Sequence, residues 1–288
     1  MSALRDAGWA KLNLTLEVLG RRPDGFHELN SLVAFAALGD ELALEPGEGF
    51  ELEIEGPFAH ALAGDNLIIK AARAASDRVP ELRLGRFQLI KLLPVAAGLG
   101  GGSADAAAAL RLIARANPGR LAETELAELA AEIGSDVSVC LASHPALIAG
   151  RGECVEPAHG VPPFGVLLAN PGLPLATEAV YAALRAEAFA LPRPYADELD
   201  FHGDFESLID YLRPRGNDLE ATAAGLVPEI RAVLAALLSL QGVRLARLSG
   251  SGPTCFALFS TEAEAKRAAA ELTGEQTSSW IAATSLRT

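Results

Sequence analysis

The stretch from Pro94 to Leu110, Pro-Val-Ala-Ala-Gly-Leu-Gly-Gly-Gly-Ser-Ala-Asp-Ala-Ala-Ala-Ala-Leu, limits what this chain can become more than any other. An apolar run before it, Phe87 to Leu93, reads as a strand. Ala106 to Ala116 follows it; it is rich in alanine, poor in β-branched residues and reads as a helix. Strand, glycine loop and helix start together aim free backbone N–H groups and the positive end of a helix dipole at an anion. Glycines at 98, 100, 101 and 102 let the backbone approach a phosphate without Cβ clashes. Ser103 can cap the helix through its Oγ or help hold a Mg2+–nucleotide. No Gly-Lys-Ser/Thr follows the glycines, so this is not a Walker A loop. Ser103 stands where the third glycine of the dinucleotide fingerprint belongs. A packed turn is the competing reading, and the density of glycines argues against it.

A phosphate loop needs a chain of matching character around it. The 288 residues suffice for one large or two modest domains, and half of them are hydrophobic, as in a globular protein. The net charge of −13 argues against a nucleic-acid surface. An acidic protein that binds phosphate must therefore concentrate positive charge locally. No basic-then-apolar start suggests a secretory signal, and no apolar run is long enough to span a membrane. Cys140, Cys154 and Cys255 are scattered and lack metal spacing; they read as reduced, buried thiols of a cytoplasmic protein. Lysine is scarce. Lys11, Lys70, Lys91 and Lys266 stand against twenty arginines, so each lysine asks for a reason.

Along the chain, Leu12, Leu14, Leu16 and Val18 alternate with Lys11, Asn13, Thr15 and Glu17, which predicts a strand with one buried face. Lys11 and Asn13 then point the same way, toward a solvated face or a site. Pro23-Asp24-Gly25 is a turn that presents Phe26 and His27, an aromatic plate beside a hydrogen-bonding group. Runs at 40–45 and 50–55 flank Pro46-Gly47-Glu48-Gly49 and predict a hairpin. Asn66 to Arg78 reads as a helix that Asn66 can cap. Lys91 is placed either to approach a nucleotide or on an exposed strand face. Glu123 to Ile133 is an amphipathic helix stopped by Gly134, and Asp136 is placed to cap the turn after it. Residues 149–153 read as a hinge-like turn. A strand at 165–169 leads to a helix that starts at Thr177 and carries Tyr181. Pro192 to Asp200 reads as a variable loop. Asn217-Asp218-Leu219-Glu220 opens a structural helix, and 227–240 is another. A glycine loop, Ser249-Gly250-Ser251-Gly252, precedes a buried strand, and a helix at 261–273 and a strand at 279–284 close the chain.

Pro94-x-x-x-Gly98-Leu99-Gly100-Gly101-Gly102-Ser103-x-Asp105-Ala106 resembles the ATP loop of the GHMP kinases. Ala10-Lys11-Leu12-Asn13-Leu14, with Leu19-Gly20-Arg21-Arg22-Pro23-Asp24-Gly25-Phe26-His27-Glu28-Leu29, is similar to the opening signature of one family among them, the 4-diphosphocytidyl-2-C-methyl-D-erythritol kinases. Gly134-Ser135-Asp136-Val137 and the loop at 249–253 resemble further segments of that family, in the same order. The resemblance implies an α+β, two-domain GHMP kinase fold. Its N-terminal domain (1–155, ATP-binding) would be like domain 2 of ribosomal protein S5. Its C-terminal domain (156–288) would be ferredoxin-like, with the active site in the interdomain cleft. It implies ATP as phosphoryl donor, Mg2+, and a cytidyl-methylerythritol acceptor phosphorylated on its 2-hydroxyl in the non-mevalonate route to isoprenoids. It assigns Lys11 and Asp136 to catalysis. To ATP it assigns Pro94, Gly98, Leu99, Gly100, Gly101, Gly102 and Ser103, with Asn66 and Lys91. To the acceptor it assigns Asn13, Phe26, His27, Thr177 and Tyr181, with Tyr181 closing a cytosine sandwich on Phe26. Gly250, Ser251 and Gly252 fall near the transferred phosphate. No metal ligand is assigned beyond a possible role for Ser103.

Two departures stand out. Relatives often carry tyrosine where this chain has Phe26, and a second serine where it has Ala104. The loop also opens on Ala96-Ala97 where glycine or serine is common, which costs backbone freedom. Other readings give different expectations. A mevalonate or homoserine kinase would lack the Phe26-His27 clamp. An RNA- or ribosome-binding module on the same fold would be basic. A binding-only relative would lack Lys11 or Asp136. No nucleic acid or membrane partner is expected, and the protein is read as a monomer or homodimer.

Overall fold

The computed structural model describes residues 3–62, 66–184, 186–187, 199–272 and 280–287. In chain order the first elements are β1 (Leu4–Asn13), β2 (Glu17–Arg21), β3 (His27–Glu45), β4 (Phe50–Glu55), α1 (Leu67–Arg78), β5 (Gly85–Ile90), α2 (Gly101–Ala116), α3 (Glu123–Ile133) and α4 (Ser135–Ala142). There follow β6 (Ala146–Gly150), β7 (Cys154–Pro157), β8 (Gly165–Asn170), α5 (Thr177–Ala183), α6 (Phe205–Leu212), α7 (Glu220–Leu226) and α8 (Glu229–Ser239). The chain closes with β9 (Leu245–Leu248), β10 (Cys255–Phe259), α9 (Glu262–Leu272) and β11 (Trp280–Ser285). Two compact units interleave along it. Unit 1 takes Met1–Lys11, Leu38–Val95 and Gly100–Ser143; unit 2 takes Leu12–Ala37, Ala96–Leu99 and His144–Thr288. No helix among the described residues is long and apolar enough to cross a membrane.

In unit 1, β4 and β5 run parallel, with α1 as the crossover between them. The end of β3 pairs antiparallel with β5, Glu41 opposite Ile90 and Glu45 opposite Arg86. The hairpin expected at 40–55 therefore does not form, because β5 lies between its two strands. Gly85 makes the insertion possible. It holds φ at +65°, and a Cβ on it would stand 2.0 Å from the carbonyl oxygen of Glu45. Helices α1 and α2 pack closely because alanine lines both buried faces: Ala71, Ala72 and Ala75 on one, Ala104 and Ala106 to Ala109 on the other.

In unit 2, the first half of β3 pairs antiparallel with β2 and with β6, and β6 turns back into β7. The turn at 150–153 is thus a hairpin bend rather than a hinge. Strands β8 to β11 form a separate antiparallel sheet in the order β11-β8-β10-β9. Numbered within that sheet the order is 4-1-3-2, the β-α-β-β-α-β arrangement that the resemblance implies. Helices α8 and α9 pack on it over a core of Leu167, Val233, Leu237, Ala257 and Phe259. Burial of that side-chain layer is what fixes the helices to the sheet.

Two further expectations change, and a third falls outside what the structure describes. Residues 10–16 are buried throughout, so the polar positions of that strand do not face solvent. Cys140 and Cys255 are buried, but Cys154 is exposed. The loop expected at 192–200 lies outside the described residues up to 198.

Candidate functional site

The glycine loop becomes a helix start earlier than Ser103. Gly100 is the N-cap of α2, in the left-handed region at φ 64°, and Ala104 N–H donates to its carbonyl at 2.9 Å. Ser103 therefore sits in the first turn and makes no cap. A glycine takes the cap position because the left-handed conformation costs it nothing. The N–H groups of Gly101, Gly102 and Ser103 precede the first intrahelical bond, which is the anion-facing end of the helix.

Lys11 lies along this loop. A Cβ on Gly100 would stand 3.2 Å from Lys11 Cβ and 3.3 Å from its Cε. Lys11 Nζ reaches Asp136 Oδ2 at 2.8 Å, with the lysine side chain 5% exposed and the aspartate 37%. Unit 1 thus joins the predicted catalytic pair to the loop. Asp136 stands in the first turn of α4, where the helix dipole favours a carboxylate. The kink that places it, between α3 and α4 at Gly134, is held by Lys70, whose Nζ donates to the carbonyl of Ile133 at 2.6 Å. Asn66 caps α1 by accepting from Ile68 N–H at 2.8 Å, and Leu67 beside it comes nearest to Gly102.

Lys91 is neither on an exposed strand face nor free to reach outward. It is buried, 2.5 Å from Asp40 Oδ2 and 2.7 Å from Asp105 Oδ2. Burial lowers its pKa, but Asp105 and Asp40 raise it further, so the ammonium stays charged. Asp105 stands in the loop motif, where the sequence gives it no role, and Asp40 carries no local signal.

Unit 2 holds a second cluster. Asn13 Nδ2 donates to Ser31 Oγ at 2.8 Å. Ser249 Oγ donates to the carbonyl of Gly98 at 2.9 Å, and Thr254 N–H donates to that of Ala97 at 3.2 Å. The two predicted glycine loops are therefore bonded directly to each other along 97–98 and 249–254. Asn217 braces the later loop by donating from Nδ2 to the carbonyls of Leu248 (2.9 Å) and Gly250 (2.7 Å). Ser251 Oγ and Thr177 Oγ1 are 2.8 Å apart. Sequence reasoning gave Asn217 only its structural part and missed Ser249 as a link.

The aromatic residues also assemble in unit 2. The rings of His27 and Tyr181 lie 4.9 Å apart, and the Arg151 guanidinium stands 4.9 Å from the centre of the Phe26 ring. Phe26 is 54% exposed, an unusual state for a large apolar ring and a suitable one for stacking. Burial, with Arg21 nearby, holds the His27 pKa below 6.5, so at pH 7 the imidazole is neutral and offers one donor and one acceptor. The sequence marks Arg151 only as part of a turn.

The chain matches two family profiles, the GHMP kinases N terminal domain over residues 66–148 and GHMP kinases C terminal over 190–276. It is 46% identical to a 4-diphosphocytidyl-2-C-methyl-D-erythritol kinase of Rhodopseudomonas palustris, over 98% of this chain and 97% of that one. It is also 46% identical to the protein of the same description from Methylobacterium radiotolerans, over the whole of both. A crystal structure of a 4-(cytidine 5'-diphospho)-2C-methyl-D-erythritol kinase superposes with a TM-score of 0.77 at 33% identity, covering 99% of this chain and 100% of that one.

Proposed function

We propose that Lys11 and Asp136 carry the reaction of this chain, which belongs to the 4-diphosphocytidyl-2-C-methyl-D-erythritol kinase family of the GHMP kinases. It is an ATP-dependent kinase of isoprenoid biosynthesis by the non-mevalonate route, acting on the cytidyl-methylerythritol. The observation that supports the assignment of roles is the 2.8 Å Lys11–Asp136 pair beside Gly100.

Phosphoryl transfer asks mainly for positioning and charge stabilisation. The backbone N–H groups of 101–103 hold the triphosphate, with Gly98, Leu99 and Gly100 shaping the approach from Pro94 and Asn66 setting the start of α1 beside it. Asp136 orients the acceptor's 2-hydroxyl and accepts its proton. Lys11 stabilises the charge on the attacking oxygen. Gly250, Ser251 and Gly252 lie over the transferred phosphate. The products are the 2-phosphate and ADP.

Mg2+ is a hard cation that commonly takes few protein ligands and several phosphate oxygens. The first turn of α2 suits it, since it offers one hydroxyl, that of Ser103, among donors that face the phosphates. Ser103 is the residue that would hold the ion, which would supply positive charge to neutralise the phosphates.

Phe26 stacks on the cytosine and the neutral His27 hydrogen-bonds its edge; Tyr181, 4.9 Å from the His27 ring, closes the far side of the base, with Asn13 and Thr177 on the acceptor. We retain 1–155 and 156–288 as the working domains and the cytoplasm as the compartment, with the protein acting as a monomer or homodimer.

The test is ATP-dependent turnover of three acceptors: the cytidyl-methylerythritol, mevalonate and homoserine. Turnover of the first alone is expected. Turnover of either of the others overturns the cytosine assignment. Phe26→Ala is expected to raise KM for the cytidyl acceptor by about 10- to 100-fold, the usual worth of one base stack, while KM for ATP stays put. A rise shared equally by both substrates would remove Phe26 from the base site.

A further inference from the structure

We propose that Arg111 is a positioning residue for the Lys11–Asp136 pair. It fastens to α2 both the strand that carries the lysine and the helix that carries the aspartate. This rests on the reading of that pair as catalytic.

All the residues concerned belong to unit 1. Within it, β1 lies against α2 at three places. A Cβ on Gly100 would stand 3.2 Å from Lys11 Cβ. A Cβ on Gly8 would stand 3.0 Å from the backbone nitrogen of Asp105 and 3.1 Å from the carbonyl carbon of Ala104. Arg111 Nη2 donates to Asp6 Oδ1 and to the carbonyl of Ala7, each at 2.9 Å. Residue numbers fall along the strand as they rise along the helix, so the two run in opposite directions. Their lengths agree. From Asp6 to Lys11, a strand rising about 3.3 Å per residue spans roughly 17 Å. From Gly100 to Arg111, a helix rising about 1.5 Å per residue spans roughly 17 Å as well. With Asp6 and Ala7 held at Arg111, Lys11 therefore falls beside the glycine loop. Gly8 lets the strand pass, since a side chain there would strike the backbone of α2.

The same guanidinium reaches α4. Its Nη1 donates to the carbonyls of Cys140 (2.9 Å) and Leu141 (3.2 Å), and its Nε donates to Asp6 Oδ2 at 3.2 Å. Together with the two bonds from Nη2, these use every N–H group of the side chain. Cys140 and Leu141 lie in the last turn of α4, where carbonyls run out of partners within the helix and the dipole favours a cation. Asp136 stands one turn before Cys140. Strand and helix are thus joined twice, once by Arg111 and once by the Lys11–Asp136 pair. A planar fork of fixed shape can hold both elements at once, which a flexible ammonium cannot. Arg115 extends the same seam by donating from Nη1 to the carbonyl of Arg5 at 2.9 Å.

Loss of this seam would weaken the fold in any case, so placement has to be separated from stability. The test is a double-mutant cycle in kcat, read on the folded fraction beside a thermal melt of each variant. Arg111→Met keeps the stem and removes the fork. It is expected to lower kcat about tenfold, while KM for ATP and for the cytidyl acceptor each change less than about threefold. Arg111→Lys keeps the charge without the fork and is expected to stay at least about threefold below wild type. In the Asp136→Ala background no pair remains to be placed. There Arg111→Met is expected to lower the residual kcat by less than about threefold. A tenfold fall in that background too is what a merely structural role predicts, and it overturns the proposal. So does a kcat within about twofold of wild type for Arg111→Met alone. Where the combined variant does not fold, Asp6→Asn replaces Arg111→Met in the same comparison, since it removes the carboxylate and leaves the carbonyl bonds. A wild-type kcat in Asp136→Ala alone would overturn the catalytic reading of the pair, and this proposal with it.

Discussion

Asp136→Ala is expected to lower kcat by about 10³-fold while changing KM for either substrate by less than about fivefold. The argument starts from the pair geometry. Asp136 meets Lys11 at 2.8 Å, and its side chain is 37% exposed, whereas that of Lys11 is almost sealed. Removing the carboxylate leaves the nearly sealed Lys11 ammonium without its partner, so the variant is also expected to lose stability, on the order of a few kcal/mol. The thermal midpoint should therefore fall by roughly 5–10 °C, and kcat is read on the folded fraction. An aspartate is a weak base for an alcohol, but in a loose transition state the proton leaves late, and orientation of the hydroxyl carries much of the effect. Steady-state kinetics on the cytidyl acceptor, read beside a thermal melt, decide it. A kcat within tenfold of wild type would leave Asp136 as nothing more than a partner for Lys11. A large fall in midpoint with no separate fall in the kcat of the folded fraction would say the same.

The legible parts of this protein are those whose signal is local. Gly134 stops α3 at Ile133, where the sequence places its end, because a one-residue break between helices is written in that residue and its neighbours. The glycine loop declares itself for the same reason. The pairing of β3, β4 and β5 was not legible. Alternation at 40–45 and 50–55 identifies strands but not their partners, and the decisive residue, Gly85, lies far beyond the turn at 46–49 that joins them in sequence. Lys11 and Asn13 show a related limit. Period-two alternation says that two faces differ, not that one is wet; both faces of 10–16 are buried, and only the rarity of lysine hinted at that. That hint held for Lys91 as well, although nothing near Lys91 in the chain names Asp40, fifty-one residues earlier, as its partner. The expected cost at the loop entrance is visible too. Ala96 holds φ at +50°, a left-handed conformation that alanine adopts at roughly 1–2 kcal/mol.

Gly98→Ala and Gly102→Ala are expected to fail in opposite ways, because the two glycines answer to different neighbours. Gly98 holds φ at +74°, and a Cβ on it would stand 2.2 Å from the carbonyl oxygen of Ser249 and 2.7 Å from Gly252 N. Both obstacles are backbone, held in turn by Ser249 Oγ and by Asn217. The left-handed penalty and the clash together should cost about 3 kcal/mol or more, lowering the thermal midpoint by roughly 5–10 °C. Gly102 is different. It sits in the first turn of α2, it is exposed, and a Cβ on it would meet nothing nearer than Leu67 Cδ1 at 3.7 Å, an ordinary contact. Alanine is the better helix former by about 1 kcal/mol, so this variant should melt no lower than wild type. Its Cβ would nevertheless project into the space that the triphosphate must share with the N–H groups of the first turn. The expected result is a KM for ATP raised at least about tenfold in a protein as stable as the original. If Gly102→Ala keeps the wild-type KM, the run of glycines serves packing alone, and the anion-facing end of α2 is not where ATP binds. If it loses ATP while Gly98→Ala loses the fold, one glycine in the motif is there for the chain and the other for the ligand, a division that the motif as a string of letters cannot express.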